Sequence, residues 1–396
     1  MRSVKWFDGV HPAVARLLAL GAWGVALVII SIRVWFKPGA HSVFTAFREA
    51  GAHWVNTGEL YFHGSKFLYS PLAAAWFAPF SFLSENVAGI TWRLLSGILL
   101  VVAVYTAAQI VWSQPGSRKG SWALVALLPL SLSNLNNGQA NPLVLGLIVF
   151  SVVALLKEHW FLCSLCLAIA SYFKIYPVAL GLLLSTIFLR HLSWRLLLAI
   201  VGLFVVSLLM QRPSYVLGQY ASWFEHLGGI TRRSADESRA WRDAYFLLRM
   251  VGIPITPGAW ILVEAFAGIT IAAFCVWGIY HSWQKQRMIY AAFALGCVWM
   301  VLFGPATEAA SYMLLGPSII YGLFESWRSI APKWTRVGMT AAYSGLLLAD
   351  ISDSWLRLKG QTVYARAFQP IVAVIFFVTL VAWLATDKYW RASQVD

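Results

Sequence analysis

The sequence SWALVALLPLSLSNLNNGQANPLVLGLIVFSVVALL, residues 121–156, is apolar at both ends and polar in its centre. A helix that crosses a bilayer needs about 20 predominantly apolar residues. These residues are too many for one such helix and too few for two full spans joined by a loop in solvent. We therefore predict two helices whose connection, Asn134 to Asn141, lies below the membrane surface.

Residues 161–189 show the same pattern, with Tyr172, Lys174, Tyr176 and Pro177 at the polar junction. Backbone that leaves the helical conformation at membrane depth must find its hydrogen-bond partners in protein or in a water-filled cavity. Two such junctions in one chain predict an internal cavity. Lys174 has two interpretations, because a lysine at this depth either meets an anionic ligand or extends to the interface or to a carboxylate.

The whole chain has the composition of a membrane protein. Its 396 residues are 60% hydrophobic, with a mean hydropathy of +0.69, and a soluble domain of this composition would expose large apolar patches. The net charge of +14 does not indicate nucleic-acid binding, because the Lys and Arg residues are dispersed among short loops rather than clustered on one face. We assign this charge to membrane orientation and to contacts with anionic membrane lipids.

The apolar runs predict an all-α polytopic integral membrane protein with about twelve (11–13) transmembrane helices in a single domain, residues 1–396. Short loops rich in Lys and Arg are expected on the cytoplasmic side, which puts both termini there. Residues 38–70 then form a long first extracytoplasmic loop, and most acidic residues fall on the external side. Residues 71–84 are marginal as a span, so we predict a short or re-entrant helix there.

Residues 38–71 hold a high density of ionisable and hydrogen-bonding side chains, although only 12% of the chain is charged. Such a concentration beside a membrane indicates the wall of a site, while a solvated loop is the simpler alternative. The sequence has no Walker loop, dinucleotide glycine fingerprint, Gly-x-Ser-x-Gly elbow or His-Glu-x-x-His motif. We therefore expect no ATP, NAD or other cofactor. Because no Asp-x-Asp pair occurs at a candidate catalytic position and Asp350 and Asp353 are explained by solvation at a helix end, we also expect no obligatory metal.

Three motifs occur in order inside this hydrophobic frame: Gly58-Glu59-Leu60-Tyr61 with Phe67-Leu68-Tyr69-Ser70-Pro71, Asn137-Gly138-Gln139-Ala140-Asn141-Pro142, and Phe173-Lys174-Ile175-Tyr176-Pro177. Together, over roughly residues 15–320, they resemble the polyprenyl-phosphate-dependent membrane glycosyltransferases of family 87, which include bacterial mannosyltransferases that elongate phosphatidylinositol mannosides. The resemblance implies a GT-C-like helical bundle. It also implies transfer of mannose or another hexose, with inversion, from a polyprenyl phosphate to a hydroxyl of a lipid or glycan. The protein would lie in the plasma (inner) membrane, with its active site facing the periplasm or exterior.

A lipid-carrier flippase without bond chemistry is the alternative function. A flippase predicts ionisable groups distributed along a path through the bilayer. Here these groups concentrate on one side, which favours the enzyme.

The resemblance implies an acidic general base in the first external loop, shortly before an aromatic residue. Residues 40–44 contain no Asp, so we prefer the nearest acid, Glu49, with Asp243, Glu308 and His53 as alternatives. A salt bridge with Arg48 is the structural alternative for Glu49.

Binding of the phosphate and the substrate is predicted for polar residues of the junctions and external loops, namely Lys174, Gln139, Asn141, Asn137, Tyr69, Arg242 and His53. The structural alternative for Glu308 is a cap on the following helix. For Arg242 and Asp243 the alternative is an ordinary solvated loop.

Overall fold

The structure is a computed structural model that describes residues 10–113, 117–229, 240–328, 331–386 and 390. Within these ranges all regular structure is helical, with sixteen α-helices and one 3-10 helix. In chain order the α-helices are α1 (Pro12–Phe36), α2 (Phe44–Val55), α3 (Pro71–Ser81), α4 (Glu85–Val111), α5 (Lys119–Asn137), α6 (Asn141–Leu156), α7 (Trp160–Phe173), α8 (Pro177–Ile187), α9 (Leu189–Met210), α10 (Pro213–Gly229), α11 (Ala244–Met250), α12 (Pro257–Tyr280), α13 (Lys285–Leu302), α14 (Gly316–Arg328), α15 (Lys333–Leu358) and α16 (Thr362–Thr386). The 3-10 helix, Ala309–Leu315, lies between α13 and α14.

The segments that connect the helices fall into two sets at opposite ends of the bundle. At one end, which we call the site face, the N–H of Val43 before α2 donates to the carbonyl of Asn137 at the end of α5, at 3.0 Å. At the other end, the opposite face, Glu158 in the turn after α6 forms an ion pair with Lys285 at the start of α13. Successive helix ends therefore alternate between the two faces.

Four of the described α-helices, α2, α3, α10 and α11, lie at the site face. The remaining twelve run between the two faces, and α14 does so together with the 3-10 helix before it. The predicted number of about twelve transmembrane helices stays a prediction. Five of the twelve that run between the faces, α1, α4, α9, α12 and α16, are long and apolar enough to cross a membrane by length and composition alone. The predicted all-α polytopic bundle is confirmed, and the cytoplasmic or external side of each face stays a prediction.

Both predicted broken-helix junctions are present. Helix α5 ends at Asn137, and Gly138 adopts a left-handed conformation with φ 66° before α6 begins, a geometry that glycine accommodates at a helix end. Helix α7 ends at Phe173, and Lys174 is extended before α8 begins at Pro177. Proline suits the first turn of a helix, because the N–H that it lacks has no partner there.

The predicted short helix within residues 71–84 is α3, which is 11 residues long. It begins where the hydroxyl of Ser70 accepts a hydrogen bond from the N–H of Ala73 at 3.4 Å, and it packs against α2. A Cβ atom on Gly51 of α2 would lie 2.4 Å from the carbonyl oxygen of Phe77. Only glycine therefore permits this approach, which fixes α2 and α3 as one unit at the site face.

Candidate active site

The second junction presents the amine of Lys174, which is half-buried. Its Nζ lies 5.5 Å from the centroid of the Tyr176 ring, and its charge interacts with Glu308 and with the hydroxyls of Tyr69 and Tyr176. The four side chains come from three distant parts of the sequence. Their convergence assembles a cation, a carboxylate and two phenols at the site face.

Hydrogen bonds to the end of α7 hold this arrangement in place. The hydroxyl of Ser70 donates to the carbonyl of Tyr172 at 2.6 Å, and the Ser70 N–H donates to the same oxygen at 3.4 Å. The neighbouring Tyr69 ring lies 5.0 Å from that of Phe47 on α2. The loop before α3 is thus fastened to the break at Lys174.

Glu308 begins the 3-10 helix and caps it. Its carboxylate accepts the N–H of Ser311, and its own N–H donates to the hydroxyl of Ser311 at 3.4 Å. The cap interpretation of Glu308 is therefore confirmed. The same half-buried side chain also interacts with Lys174 and lines a cavity, so the cap orients the carboxylate toward the site.

A cavity of about 220 Å³ lies beside Glu308. Its polar lining includes two predicted substrate-binding residues, Asn137 and Gln139, which follow each other closely at the end of α5 and the first junction. The rest of its polar lining is Ser133, Asn134, Glu308, Tyr312, Asp350 and Gln369. The first of the two junctions therefore lines a polar cavity, whereas no residue of the second junction lines it.

Asn141 joins the two junctions. This fully buried amide donates to the side-chain oxygen of Asn134 at 2.9 Å and accepts a hydrogen bond from the Tyr176 hydroxyl at 3.4 Å. It does not line the cavity. Its position indicates that it orients Tyr176, and through it the surroundings of Lys174.

Glu49 and His53 lie away from this cluster. Glu49 is exposed and lies across α2 from the buried face that includes Phe47. Arg48 donates to the carbonyls of residues 81 and 83, at 3.3 and 2.9 Å, rather than forming the salt bridge considered for Glu49. His53 stacks on Phe62, with ring centroids 5.5 Å apart. Neither Glu49 nor His53 lines the cavity.

Arg242 and Asp243 do not lie in a solvated loop, because both side chains form hydrogen bonds within the protein. The buried Arg242 guanidinium donates to a carboxylate oxygen of Asp353 at 2.6 Å and to the amide oxygen of Gln369 at 3.0 Å. Asp243 caps α11 by accepting the N–H of Phe246 at 2.9 Å. These bonds fasten the segment before α11 to the helix pair α15 and α16.

Sequence reasoning did not identify the residues that hold the first junction. The buried guanidinium of Arg93 donates to the carbonyls of Leu135 at 3.0 Å and Asn136 at 3.1 Å, while the indole of Trp92 donates to Gly138 at 2.9 Å. Arg33 of α1 also contacts the Asn136 side chain. A visible signal existed, because Arg33 and Arg93 are arginines inside long apolar runs.

Within the described ranges, no group of three or more His, Cys, Asp or Glu side chains could hold a metal ion. The expectation that no metal is required stays a prediction. The four cysteines, Cys163, Cys166, Cys275 and Cys297, are buried and free. This agrees with a packing role for them.

Comparison with known proteins gives the family. A family model described as glycosyltransferase family 87 matches residues 67–305, which is more than half of the chain. Among solved structures, the chain matches ArnT from Cupriavidus metallidurans bound to undecaprenyl phosphate, with 15% sequence identity and a TM-score of 0.42, over 92% of this chain and 77% of that chain. Comparison with curated proteins returns no match. The resemblance that the motifs indicated is confirmed, and this chain belongs to glycosyltransferase family 87.

Proposed function

We propose that this family 87 glycosyltransferase moves a sugar from a polyprenyl-phosphate donor to an acceptor hydroxyl at the site face, with inversion at the anomeric carbon. The observation that carries the proposal is that Glu308 lines a polar cavity at the site face while its carboxylate interacts electrostatically with the Lys174 amine of the second junction. A reaction that releases a lipid phosphate needs a cation for the leaving group and a base for the acceptor. These two side chains supply one of each.

Lys174 takes the role of phosphate ligand. The leaving oxygen gains negative charge as its bond to the sugar breaks, and a preorganised cation in a partly dry site stabilises that charge strongly. The hydroxyl of Tyr69 interacts with the same amine and can donate to the phosphate oxygens, whereas the hydroxyl of Tyr176 donates to Asn141 and helps to position the amine. Asn141 holds Tyr176 in place for this task.

Glu308 takes the role of general base. The acceptor oxygen attacks the anomeric carbon from the side opposite the phosphate, its proton passes to the Glu308 carboxylate, and the bond from carbon to phosphate oxygen breaks with its electron pair on the phosphate. The sugar therefore changes anomeric configuration. The amides of Asn137 and Gln139, which line the cavity, can bind hydroxyl groups of the acceptor.

The choice of Glu308 over Glu49 and Asp243 follows from their surroundings. Glu49 is exposed on α2 and does not line the cavity, and Asp243 serves as the cap of α11. Arg242, which the sequence suggested as a phosphate ligand, is held by Asp353 and Gln369. Of the three candidate acids, Glu308 alone lines the cavity.

The side of the membrane and the sugar belong to the same proposal. The basic loops, such as the one before α5 with Arg118 and Lys119, lie at the opposite face, which the positive-inside rule assigns to the cytoplasm. The site face is then periplasmic or external in a plasma (inner) membrane protein. We propose a hexose as the transferred sugar, with mannose first because the family resemblance implies it.

The test is a transfer assay with the full-length protein in phosphatidylcholine nanodiscs. Polyprenyl-phosphate mannose, glucose and galactose serve as donors, and a lipid extract supplies acceptors. We expect release of free polyprenyl phosphate together with a glycosylated product of inverted anomeric configuration. A folded protein that uses none of these donors would contradict the proposal, and movement of intact carrier across the bilayer without release of phosphate would favour the flippase.

A further inference from the structure

One wall of the cavity lies outside the segment that matches the family. Leu346, Leu347 and Asp350 of α15 and Gln369 of α16 line it, while the family match ends at residue 305. Gln369 links this wall to the segment of the proposed base, because its amide N–H donates to the carbonyl of Ala309, the residue after Glu308, at 3.3 Å. Its amide oxygen is held by Arg242 at 3.0 Å.

The charges of the cavity are all of one sign. Two carboxylates, those of Glu308 and Asp350, line it, and no Lys, Arg or His does so among the described residues. An anionic group would therefore be repelled and would find no cation to pair with. Neutral hydroxyl groups suit this lining, since carboxylates accept their hydrogen bonds and amides such as Asn134 both donate and accept.

The cavity size fits one ring. Its volume of about 220 Å³ is below the roughly 300–1,000 Å³ of pockets that hold drug-sized ligands. Apolar side chains, Leu130, Met313 and Leu346 among them, also line it and can pack against the C–H face of a sugar. Glu308 lines this cavity and also interacts electrostatically with Lys174, so the proposed base belongs both to the cavity and to the cluster of the proposed phosphate ligand.

We infer that the cavity is the acceptor subsite, that it takes a neutral polyhydroxyl group of the size of one sugar ring, and that α15 and α16 select against anionic acceptors through Asp350. The inference rests on the proposed function. The phosphate is held at Lys174, outside this anionic cavity, and the acceptor hydroxyl must reach Glu308. Because Glu308 lines the cavity, an acceptor bound there can bring its hydroxyl to the carboxylate.

A filled cavity provides the first test. Ser133 lines the cavity from an exposed position on α5, so Ser133→Trp adds bulk without repacking a buried site. The matched control is Leu132→Trp, because Leu132 is its exposed neighbour (40%) and does not line the cavity. We expect Ser133→Trp to raise the acceptor KM at least about tenfold with the donor KM nearly unchanged, and Leu132→Trp to change neither. A rise in the donor KM alone would overturn the inference, because the cavity would then hold the donor sugar.

Binding without turnover provides the second test. Saturation-transfer NMR on the full-length protein in phosphatidylcholine nanodiscs, with methyl glycosides of glucose, mannose and galactose and with methyl glucuronide, should show binding of at least one neutral glycoside and weaker binding of the glucuronide. Asp350→Lys should invert this preference, while Asp350→Asn should only reduce it. Absence of any neutral-glycoside signal, or a preference that Asp350→Lys leaves unchanged, would overturn the inference. Because this measurement needs no donor, its result is independent of whether polyprenyl phosphates are used.

Discussion

The two broken-helix junctions share a sequence pattern and differ in what they expose. At the first, the left-handed Gly138 follows a helix end whose carbonyls are held by Arg93, and the indole of Trp92 binds the carbonyl of Gly138 itself. At the second, Lys174 is extended and its amine interacts electrostatically with Tyr176, Tyr69 and Glu308. One helix break is therefore held by side chains that bind its backbone, whereas the other leaves a charged side chain near a carboxylate.

The hydrogen-bonding partners explain this difference. Arg93 binds backbone carbonyls of the first junction with several donors and is almost completely buried (1% exposed). Lys174 is half-buried beside phenols and a carboxylate. We therefore expect substitutions at the first junction to change stability and substitutions around the second to change turnover.

The largest effect is expected for Glu308→Gln. Glutamine can still accept the Ser311 N–H and preserve the cap, but it cannot take a proton, so kcat should fall about 10²–10⁴-fold with little change in melting temperature. The measurement is single-turnover transfer from a polyprenyl-phosphate sugar, with Glu49→Gln as the matched control. Loss of turnover in Glu49→Gln together with normal turnover in Glu308→Gln would assign the general base to Glu49 on α2.

Lys174→Gln should have the next largest effect. It removes the cation opposite the developing phosphate charge, so kcat/KM should fall about 10²–10³-fold. Lys157→Gln is the control, because Lys157 is an exposed lysine in the turn at the opposite face. Donor binding, measured by quenching with a fluorescent polyprenyl phosphate, should weaken in Lys174→Gln alone. Equal donor affinity in both variants would mean that the second junction does not bind the phosphate.

Arg93→Gln tests the first junction. It leaves the carbonyls of Leu135 and Asn136 without their buried donor, which should lower the free energy of unfolding by about 2–4 kcal/mol. Turnover per folded molecule should change far less than in Lys174→Gln. Thermal unfolding in detergent, beside Arg190→Gln at an exposed position of α9, separates these outcomes. If Arg93→Gln melts normally but has lost turnover, the first junction takes part in the reaction as well.

Both junctions could be predicted from the sequence because they depend on length and polarity alone. Residues 121–156 are too many for one spanning helix and too few for two full spans joined by a loop in solvent. The same argument from length and polarity applies to residues 161–189. Lys174 also stood out, because a cation at a junction between apolar segments needs a partner. The sequence could not show which acid interacts with Lys174, since Glu308 caps a 3-10 helix far along the chain.

The preference for Glu49 illustrates the limit of local reasoning. Glu49 is the nearest acid in the predicted first external loop, but Phe47 and the other large apolar residues of α2 decide which face of that helix packs. The role of Glu49 as a base stays a prediction. Arg242 shows the same limit, because its partners Asp353 and Gln369 lie more than a hundred residues later. Pairings across such distances depend on how helices assemble, and a single sequence does not contain that information in a readable form.

The smallest effect is expected at the turn that joins the two junction-bearing hairpins at the opposite face. Glu158 pairs there with Lys285, and this hydrogen-bonded ammonium holds the pKa of the Glu158 carboxyl below its usual range. A carboxyl with a lowered pKa in the folded state contributes stability above its unfolded pKa and loses that contribution as the pH falls through the folded pKa. Both side chains of the pair are exposed, so salt screens it and its contribution stays small.

Glu158→Gln should therefore leave kcat unchanged and only flatten the decline of melting temperature between neutral pH and about pH 3. The difference from wild type should disappear in high salt, which thermal unfolding with and without 1 M NaCl would measure. A clear loss of transfer in Glu158→Gln would contradict the distinction drawn between the junctions, because it would place part of the chemistry at the face where the structure has only a turn. Wild-type turnover would leave the pair as a surface contact and the reaction at Lys174 and Glu308.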